Sequence, residues 1–438
     1  MSSIQSMINA AKTGAIIKIP AGTYLENINI KKRITLQGSG IDQTIIDGNG
    51  KDSCIKVQSG YVVTISGMTI RNGKGTNGGG IYNYGTTTIS DCLISGNNAS
   101  ELGGGIYNSS GELTLNNVQI ISNVGGYGGG IYSKAKMTMA GGIIDNNVAN
   151  ADAGGFFNGS GGSLVSISNC PVTNNKALGQ INIYNYPWPT GWGGGFYNDG
   201  VINSITSCQF NNNFAQWRGG GAYSYGNIVL GTGCQFNNNQ CAESDGGGLV
   251  MDEGAVVYFK DSQFNSNKSA QGAGIYNDAR LTLENCLIQN NQAIGGYTYT
   301  DVPPYKEPTI GRGGGIYVYG SLMMKGKCIV SGNVVKGDGG GICCQPYLTV
   351  TLQNNVVVSD NTADSYSPSD GRGGGVYIDA GSMILNGTNV FIQYNKAKLP
   401  TSQSSWNNGY GVYAASSKLV TISGGFDPTK QVIGNTKI

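Results

Sequence analysis

The sequence contains no histidine, and this absence removes several classes of active site at once. Ser-His-Asp and Cys-His nucleophile systems and His-ligated metal sites are all excluded. Charged residues are also scarce, at 12% of the chain, and 27 basic against 25 acidic residues leave a formal net charge of +2. Such a balance provides no electrostatic footprint for nucleic acid or for an anionic membrane. We therefore expect no nucleic-acid partner.

Long apolar runs are missing as well. No run reaches the roughly 18 residues that a membrane-spanning helix needs, so no transmembrane segment is predicted. The stretch from Met1 to Ala11 lacks the basic start and apolar core of a signal peptide, so no export signal is visible. Hydrophobic residues still make up 39% of the chain, which is enough for a packed core.

Glycine is abundant instead, with 73 residues among 438. Much of it lies in a string of the type Gly-Gly-Gly-Ile-Tyr, which recurs twelve times. The apolar fourth residue of each string, the anchor, is Ile81, Ile106, Ile131, Phe156, Phe196, Ala222, Leu249, Ile275, Ile316, Ile342, Val376 or Val412. Most intervals are 25 to 27 residues long, and four are lengthened by about 8 to 15. Three short alternating runs in each interval predict three strands per repeat.

A repeat of this size predicts a β-helix. One unit of about 25 residues cannot bury its apolar side alone, but stacked units can, with backbones paired about 4.8 Å apart. We expect one all-β domain, a right-handed parallel β-helix of about 14 coils. Its parts are an N-terminal cap at 1–15, irregular first coils at 16–75, the twelve repeats at 76–425 and a C-terminal end at 426–438. Apolar spacing over residues 3–12 predicts a short capping helix.

The repeat resembles that of the polymorphic outer-membrane protein family, which is found in surface adhesins. The family's Gly-Gly-Ala/Gly-Ile/Leu-Tyr string alternates with Phe-x-x-Asn, which stands here at Phe210 to Asn213, Phe236 to Asn239 and Phe264 to Asn267. Residues 16–47 are also similar to the opening of pectin-lyase-like β-helix proteins. The resemblance implies a right-handed β-helix and an extracellular or cell-surface location.

Three repeated positions have structural interpretations. The Tyr after each anchor, such as Tyr82, predicts an outward-facing column of stacked rings, and a strip of platforms for sugar rings is the alternative. The Asn of Phe-x-x-Asn predicts an internal amide ladder that bonds the turn backbone. Six of the ten cysteines share one repeat position. We expect these, including Cys208 and Cys234 on neighbouring units, to be reduced and to point into the core.

Four insertions share one junction of the repeat, just before the glycine triplet. They lie near residues 179–192, 295–312, 364–372 and 398–408. The insertions and the corresponding junction of one further repeat hold the aromatic and Arg residues that we name the loop-edge set. Its members are Trp188, Trp192, Trp217, Trp406, Tyr184, Tyr186, Tyr297, Tyr299, Tyr305, Arg218, Arg312 and Arg372. Exposed residues of these types favour binding surfaces, although loops that merely shield the sheet edge are the alternative.

The leading functional hypothesis is a non-catalytic, adhesin-like protein of the cell surface or extracellular space. It would bind a polysaccharide or a host-cell partner through the loop-edge set, with no cofactor and no metal. The alternative is a polysaccharide lyase or glycoside hydrolase that uses Asp252, Asp278 and Arg280, because the two carboxylates fall on consecutive units. A solvated edge is the simpler interpretation of those residues. A third hypothesis is end-to-end self-association, since the stretch from Phe426 shows no cap.

Overall fold

The structure is a computed structural model, and it confirms the predicted all-β parallel β-helix. The residues it describes are 3–180, 189–299, 306–364, 371–398, 410–414 and 420–437. Two short α-helices occur in this part of the chain, Ile4–Ala10 and Pro428–Gln431. The chain forms two compact units, an N-terminal unit from Met1 to Ala215 and a C-terminal unit from Gln216 to Ile438. A single domain stays a prediction.

The coils form four parallel sheets, not three, and the fourth sheet begins at Lys74–Asn77. Sheet 1 contains the anchor strands, and sheets 2, 3 and 4 follow in chain order. The fourth sheet is the difference from the prediction. It arises because the short segment after the Asn turn remains extended and pairs with the same segment of the next coil, as Val148–Ala149 does with Lys176–Ala177.

The strands of the N-terminal unit follow the repeat closely. Sheet 1 contains Ile28–Ile30, Ile55–Val57, Ile81–Asn83, Ile106–Asn108, Ile131–Ser133, Phe156–Asn158 and Phe196–Asn198. Sheet 2 contains Ile16–Lys18, Ile34–Gln37, Val62–Ser66, Thr86–Ser90, Glu112–Asn116, Lys136–Ala140, Ser163–Ser168, Val201–Ile202 and Ile205–Thr206. Sheet 3 contains Gly22–Leu25, Thr44–Asp47, Thr69–Arg71, Leu93–Ser95, Gln119–Ile121, Ile143–Asp145, Val172–Thr173 and Gln209–Asn211. Sheet 4 contains Lys74–Asn77, Asn98–Leu102, Val124–Gly125, Val148–Ala149, Lys176–Ala177 and Phe214–Ala215.

The C-terminal unit has the same four sheets. Sheet 1 contains Ala222–Ser224, Leu249–Met251, Ile275–Asn277, Ile316–Val318, Ile342–Cys344, Val376–Ile378 and Val412–Ala414. Sheet 2 contains Ile228–Thr232, Val256–Lys260, Arg280–Glu284, Ser321–Lys325, Thr349–Gln353, Ser382–Asn386 and Val420–Ser423. Sheet 3 contains Gln235–Asn237, Gln263–Asn265, Leu287–Gln289, Ile329–Ser331, Val357–Ser359, Phe391–Gln393 and Val432–Ile433. Sheet 4 contains Gln240–Cys241, Lys268–Ser269, Gln292–Ala293, Val334–Asp338, Thr362–Asp364, Lys396–Ala397 and Thr436–Lys437, and Gly311–Arg312 pairs with its Val334–Asp338 strand. A two-stranded antiparallel hairpin, Gly296–Tyr299 with Lys306–Thr309, lies in the second insertion.

The glycine triplet is explained by how closely neighbouring coils approach. The first glycine, Gly103, has φ +65°, in the left-handed region that side chains rarely adopt. The third, Gly105, donates its N–H to the carbonyl of Gly130 at 3.0 Å. A Cβ atom on Gly105 would lie 2.7 Å from that same carbonyl oxygen. The triplet therefore recurs because each coil stacks its backbone directly on the next one.

An asparagine ladder runs through the interior of each unit, as predicted. Each Asn of the ladder before the last one of its unit donates its side-chain N–H to the side-chain oxygen of the Asn one coil further along, at 2.9 to 3.1 Å. The members are Asn97, Asn123, Asn147, Asn175 and Asn213 in the N-terminal unit and Asn239, Asn267, Asn291, Asn333, Asn361, Asn395 and Asn435 in the C-terminal unit. The ladder satisfies buried turn backbone that would otherwise lack partners.

The cysteines are all free and buried in the structure. Cys208 and Cys234 are each fully buried thiols, as expected of small apolar residues in a packed column. Burial raises the pKa of Cys208 to about 11, and it raises the pKa of Cys54 to about 12. The thiolate form, which is the reactive one, is therefore disfavoured near neutral pH.

The first helix confirms the predicted cap over the first coil. Ile4 and Ile8 are buried, and the carboxylate of Glu26 accepts hydrogen bonds from Ser3 Oγ and from the backbone N–H groups of Ile4 and Gln5 at 2.8 to 3.0 Å. The second helix, Pro428–Gln431, was not expected from the sequence. It is only four residues long, and Asp427 caps it by accepting from the N–H of Thr429 at 3.0 Å.

Candidate binding surface

The aromatic column of sheet 1 exists, with rings stacked from coil to coil. In the N-terminal unit ring centroids lie 5.0 Å apart for Tyr82 and Tyr107 and 5.8 Å for Tyr107 and Tyr132. They lie 4.6 Å apart for Tyr132 and Phe157 and 4.4 Å for Phe157 and Tyr197. Such pairs stabilise a stack beyond the area they bury.

This column is covered, however, where the sequence predicted an outward-facing one. Tyr107, Tyr132 and Phe157 are only 6 to 8% exposed. Leu102 and Tyr127, which precede the glycine triplets, lie over the rings in the same cluster. The rings project from the outer face of sheet 1, but the segment that precedes each glycine triplet packs over them. Most of this column cannot present flat faces to a sugar.

In the C-terminal unit arginines of the loop-edge set lie against the same column. The guanidinium carbon of Arg218 lies 4.9 Å from the ring centroid of Tyr276 and 5.8 Å from that of Tyr223. Arg218 also forms an ion pair with Asp245, with Nη2 and Oδ2 3.4 Å apart. A buried cation over aromatic faces is a stabilising contact, so Arg218 helps to cover the rings of the aromatic column.

Arg372 repeats this arrangement with better geometry. Its Nε and Nη2 atoms donate to the two carboxylate oxygens of Asp338, at 3.1 and 2.6 Å. Its guanidinium carbon lies 4.7 Å from the ring centroid of Tyr377 and 5.2 Å from that of Tyr413. Arg312 makes a simpler contact and donates from Nη1 to the hydroxyl of Tyr317 at 3.0 Å. All three arginines therefore contact other residues of the protein. They lie at the ends of the segments that precede the glycine triplets.

Buried carboxylates hold the ends of two insertions. Asp152 accepts the backbone N–H groups of Gly191 and Trp192 on the same oxygen, at 2.7 and 2.9 Å. Asp338 does the same for the corresponding pair of the third insertion, which ends at Arg372. Burial raises the pKa of Asp152 to about 6, and the two backbone donors only partly offset this effect. Both aspartates precede a glycine triplet, and no sequence signal identified their role.

The described tryptophans differ in exposure. Trp192 is partly exposed, and its ring lies nearly parallel to that of Tyr197, with centroids 6.2 Å apart and an interplanar angle of 11°. Trp217 is only 3% exposed. The expectation that every Trp of the loop-edge set is exposed is therefore wrong for Trp217. That residue follows a short turn with no insertion, so its ring remains within the coil stack.

Part of the loop-edge set falls outside the described residues. These members are Trp188, Trp406, Tyr184, Tyr186 and Tyr305. Tyr297 and Tyr299 lie on the hairpin strand Gly296–Tyr299, of which only the backbone is described. The binding role of the set stays a prediction.

A separate groove lies in the C-terminal unit, between sheets 1 and 2. Its volume is 410 Å³, within the range of about 300 to 1,000 Å³ typical of small-ligand pockets. Turns of successive coils line it and contribute Asp278, Arg280, Ser321, Tyr347 and Thr349. The structure thus brings together two of the three residues of the enzyme hypothesis.

The third residue, Asp252, is not part of the groove lining. Its Oδ2 atom accepts a hydrogen bond from the hydroxyl of Tyr223. It lies close enough to Asp278 to act on it electrostatically. Partial burial raises the pKa of Asp278 to about 6. The negative charges of Asp252 and Glu253 add to that effect, and the positive charge of Arg218 partly offsets it.

Sequence reasoning missed Tyr347, the aromatic residue of this groove. A signal was present in the segment Cys344-Gln345-Pro346-Tyr347, which lengthens a turn that is shorter in most other coils. Among the described residues, no group of three or more Asp, Glu or Cys side chains is arranged to hold a metal ion.

The four parallel sheets and the stacked side-chain columns define a parallel β-helix protein, and the comparisons with known proteins agree. Residues 192–426 match the family model of the right-handed β-helix region, which covers more than half of the chain, so the protein belongs to the right-handed β-helix family. Residues 91–109 match the repeat of the Chlamydia polymorphic membrane protein. That match points to a surface-associated β-helix protein. No curated protein matches the chain. Neither helix in the described segments is long and apolar enough to cross a membrane.

Proposed function

We propose that this protein is a non-catalytic, adhesin-like β-helix protein of the cell surface or extracellular space. It binds a glycan or a partner surface through the aromatic side chains of its insertions. The support for the location is the repeat match at residues 91–109. For the binding role it comes from the way the insertions are attached to the coils.

The observation that carries the proposal is the fixed position of Trp192 at the end of the first insertion. Asp152 holds its backbone N–H, Tyr197 stacks against its ring, and part of the side chain remains exposed. A rigid aromatic face has little conformational entropy to lose on binding, which favours affinity. The covered Tyr column, by contrast, has little free ring surface to offer.

The test compares tryptophans in binding and in stability. Trp188→Ala, Trp192→Ala and Trp406→Ala are each expected to weaken binding to the best ligand on a glycan array by about 1 to 3 kcal/mol, with little change in melting temperature. Trp217→Ala is the matched control, because its ring is buried and the change should lower the melting temperature instead. If the three loop variants unfold without losing affinity, the insertions are only a structural cover.

A second function, a polysaccharide lyase or glycoside hydrolase, is favoured by one observation. Asp278, whose pKa is raised to about 6, lies in the same groove as Arg280, and a carboxyl group with a raised pKa suits an acid catalyst. Incubation with a polysaccharide panel, followed by ultraviolet absorbance and reducing-end assays, distinguishes the two functions. Product formation that is lost in Asp278→Asn would favour the enzyme.

A further inference from the structure

Tyr347 occupies an unfavourable backbone position with no compensating burial. Its φ is +67°, in the left-handed region where most other non-glycine residues of this protein are Asn, Asp or Ser. Its side chain is 91% exposed, the highest value among the exposed large hydrophobic residues. A bulky side chain in this region costs free energy relative to glycine, and an exposed ring recovers almost none of it by packing. Backbone strain that no packing contact offsets is typical of binding sites.

The charged residues beside Tyr347 are also unpaired. No described residue forms an ion pair or a side-chain hydrogen bond with the carboxylate of Asp278 or with the guanidinium of Arg280. The two side chains line one groove with the hydroxyl-bearing Ser321. Opposite charges that do not pair with each other leave both groups free to bind a ligand that has complementary groups.

Carboxylates outnumber cationic groups around Asp278, and this imbalance favours some ligands over others. Asp252 and Glu253 add negative charge near Asp278, and the positive charge of Arg218 offsets part of it. Arg280 supplies positive charge in the groove lining. A ligand ammonium group beside Asp278 would be attracted by this local excess of carboxylates, whereas a ligand carboxylate there would be repelled. Partial burial strengthens either effect, because screening by water is reduced.

We propose that the groove formed by Asp278, Arg280, Ser321 and Tyr347 is a binding site for a sugar with a free amino group, such as a hexosamine oligosaccharide. The ammonium group lies against Asp278, and the apolar face of the sugar ring stacks on Tyr347. Arg280 donates hydrogen bonds to hydroxyl or ring oxygens. This site goes beyond the function proposed above, because it lies between sheets 1 and 2 and uses no member of the loop-edge set.

Titration calorimetry with the full chain at neutral pH tests the proposal. The probes are a glucosamine hexasaccharide, its N-acetylated form, a glucose hexasaccharide and a galacturonic acid hexasaccharide. The glucosamine probe is expected to bind most tightly. Tyr347→Ala is expected to raise its Kd about tenfold, and Asp278→Asn to raise it to the value of the N-acetylated probe.

The matched control is Tyr394→Ala. Tyr394 also has positive φ, +56°, and is 51% exposed, but it lies in a different turn of the same unit, after the strand Phe391–Gln393. This change should leave the affinities for all four probes unchanged. Because none of these variants alters a member of the loop-edge set, failure of this site and failure of the loop-edge proposal are separate results.

Three results would overturn the proposal. They are no binding by the glucosamine probe, equal or tighter binding by the neutral or acidic probes, and an equal loss of affinity in Tyr394→Ala. A melting-temperature measurement on each variant shows whether the fold is retained, which is expected because the altered side chains lie at the surface of the groove.

Discussion

Asn291→Ala is expected to destabilise the protein far more than the same truncation of its neighbour Asn290. The side chain of Asn291 is fully buried in the ladder and takes part in four hydrogen bonds. Its Nδ2 donates to Asn333 Oδ1 at 2.9 Å and to the carbonyl of Phe264 at 2.8 Å. Its Oδ1 accepts from both the backbone N–H and the Nδ2 of Asn267, each at 2.9 Å.

The magnitude follows from the groups that the truncation leaves without partners. The backbone N–H of Asn267 would remain buried and unsatisfied. The carbonyl of Phe264 would lose one donor, and Asn267 Nδ2 would lose one of its acceptors. Asn333 Oδ1 keeps a donor, because the backbone N–H of Asn291 also bonds to it at 3.0 Å. At about 1 to 3 kcal/mol for the unsatisfied N–H group and about 1 kcal/mol for each of the three other hydrogen bonds that are lost, the cost is about 4 to 6 kcal/mol.

Urea unfolding followed by circular dichroism measures this cost, and hydrogen exchange of the Asn267 amide tests its location. Asn290 is exposed, with φ +56°, so Asn290→Ala should cost about 1 kcal/mol or less. The amide of Asn267 should exchange faster in Asn291→Ala only. Equal destabilisation by the two variants, or an unchanged exchange rate at Asn267, would refute the reasoning.

Three further outcomes are expected. Burial raises the pKa of Asp152 from 3.8 to about 6, so the folded state binds the extra proton between about pH 4 and pH 6. The free energy of unfolding should therefore fall by about 3 kcal/mol as the pH rises through that window, and urea titrations of Asp152→Asn should show this fall removed. Arg372→Ala leaves the buried carboxylate of Asp338 without its cation and should cost about 3 kcal/mol in urea unfolding, more than Arg312→Ala, whose described hydrogen-bond partner is a neutral hydroxyl. All ten cysteines should resist a thiol reagent in the native protein and react after denaturation without reductant, whereas a thiol count below ten would reveal a disulfide.

Much of the fold was predictable because the repeat leaves little freedom. Once Ile81 must pair with the equivalent Ile106, the period places Tyr82 on Tyr107 and Asn83 on the next coil's Asn without further assumptions. The asparagine ladder was predictable for the same reason, since a buried Asn recurring at one position has another Asn as its nearest partner. The fourth sheet was missed because most of its strands are only two residues long, which leaves no alternation in the sequence.

The candidate sites were predicted less completely. Asp278 and Arg280 were identified from their residue types and spacing, but Tyr347 was not, because a turn residue of one coil meets them only after the coils have stacked. The loop-edge arginines were identified, while their bonds to Asp338 and to the Tyr column were not. Asp338 lies on a neighbouring coil, more than thirty residues from Arg372 in the sequence.

The sequence by itself determined the β-helix, the stacking register and the identity of the buried columns. A short period carries that information, because each residue's main neighbour is the same position one coil away. Only the tertiary structure decided which aromatic side chains are exposed. Trp217 is 3% exposed and Tyr347 is 91% exposed, although both are aromatic residues of one unit and both lie between strands. Exposure depends on what the adjacent coils place over a ring, and that differs from coil to coil wherever the repeat is interrupted.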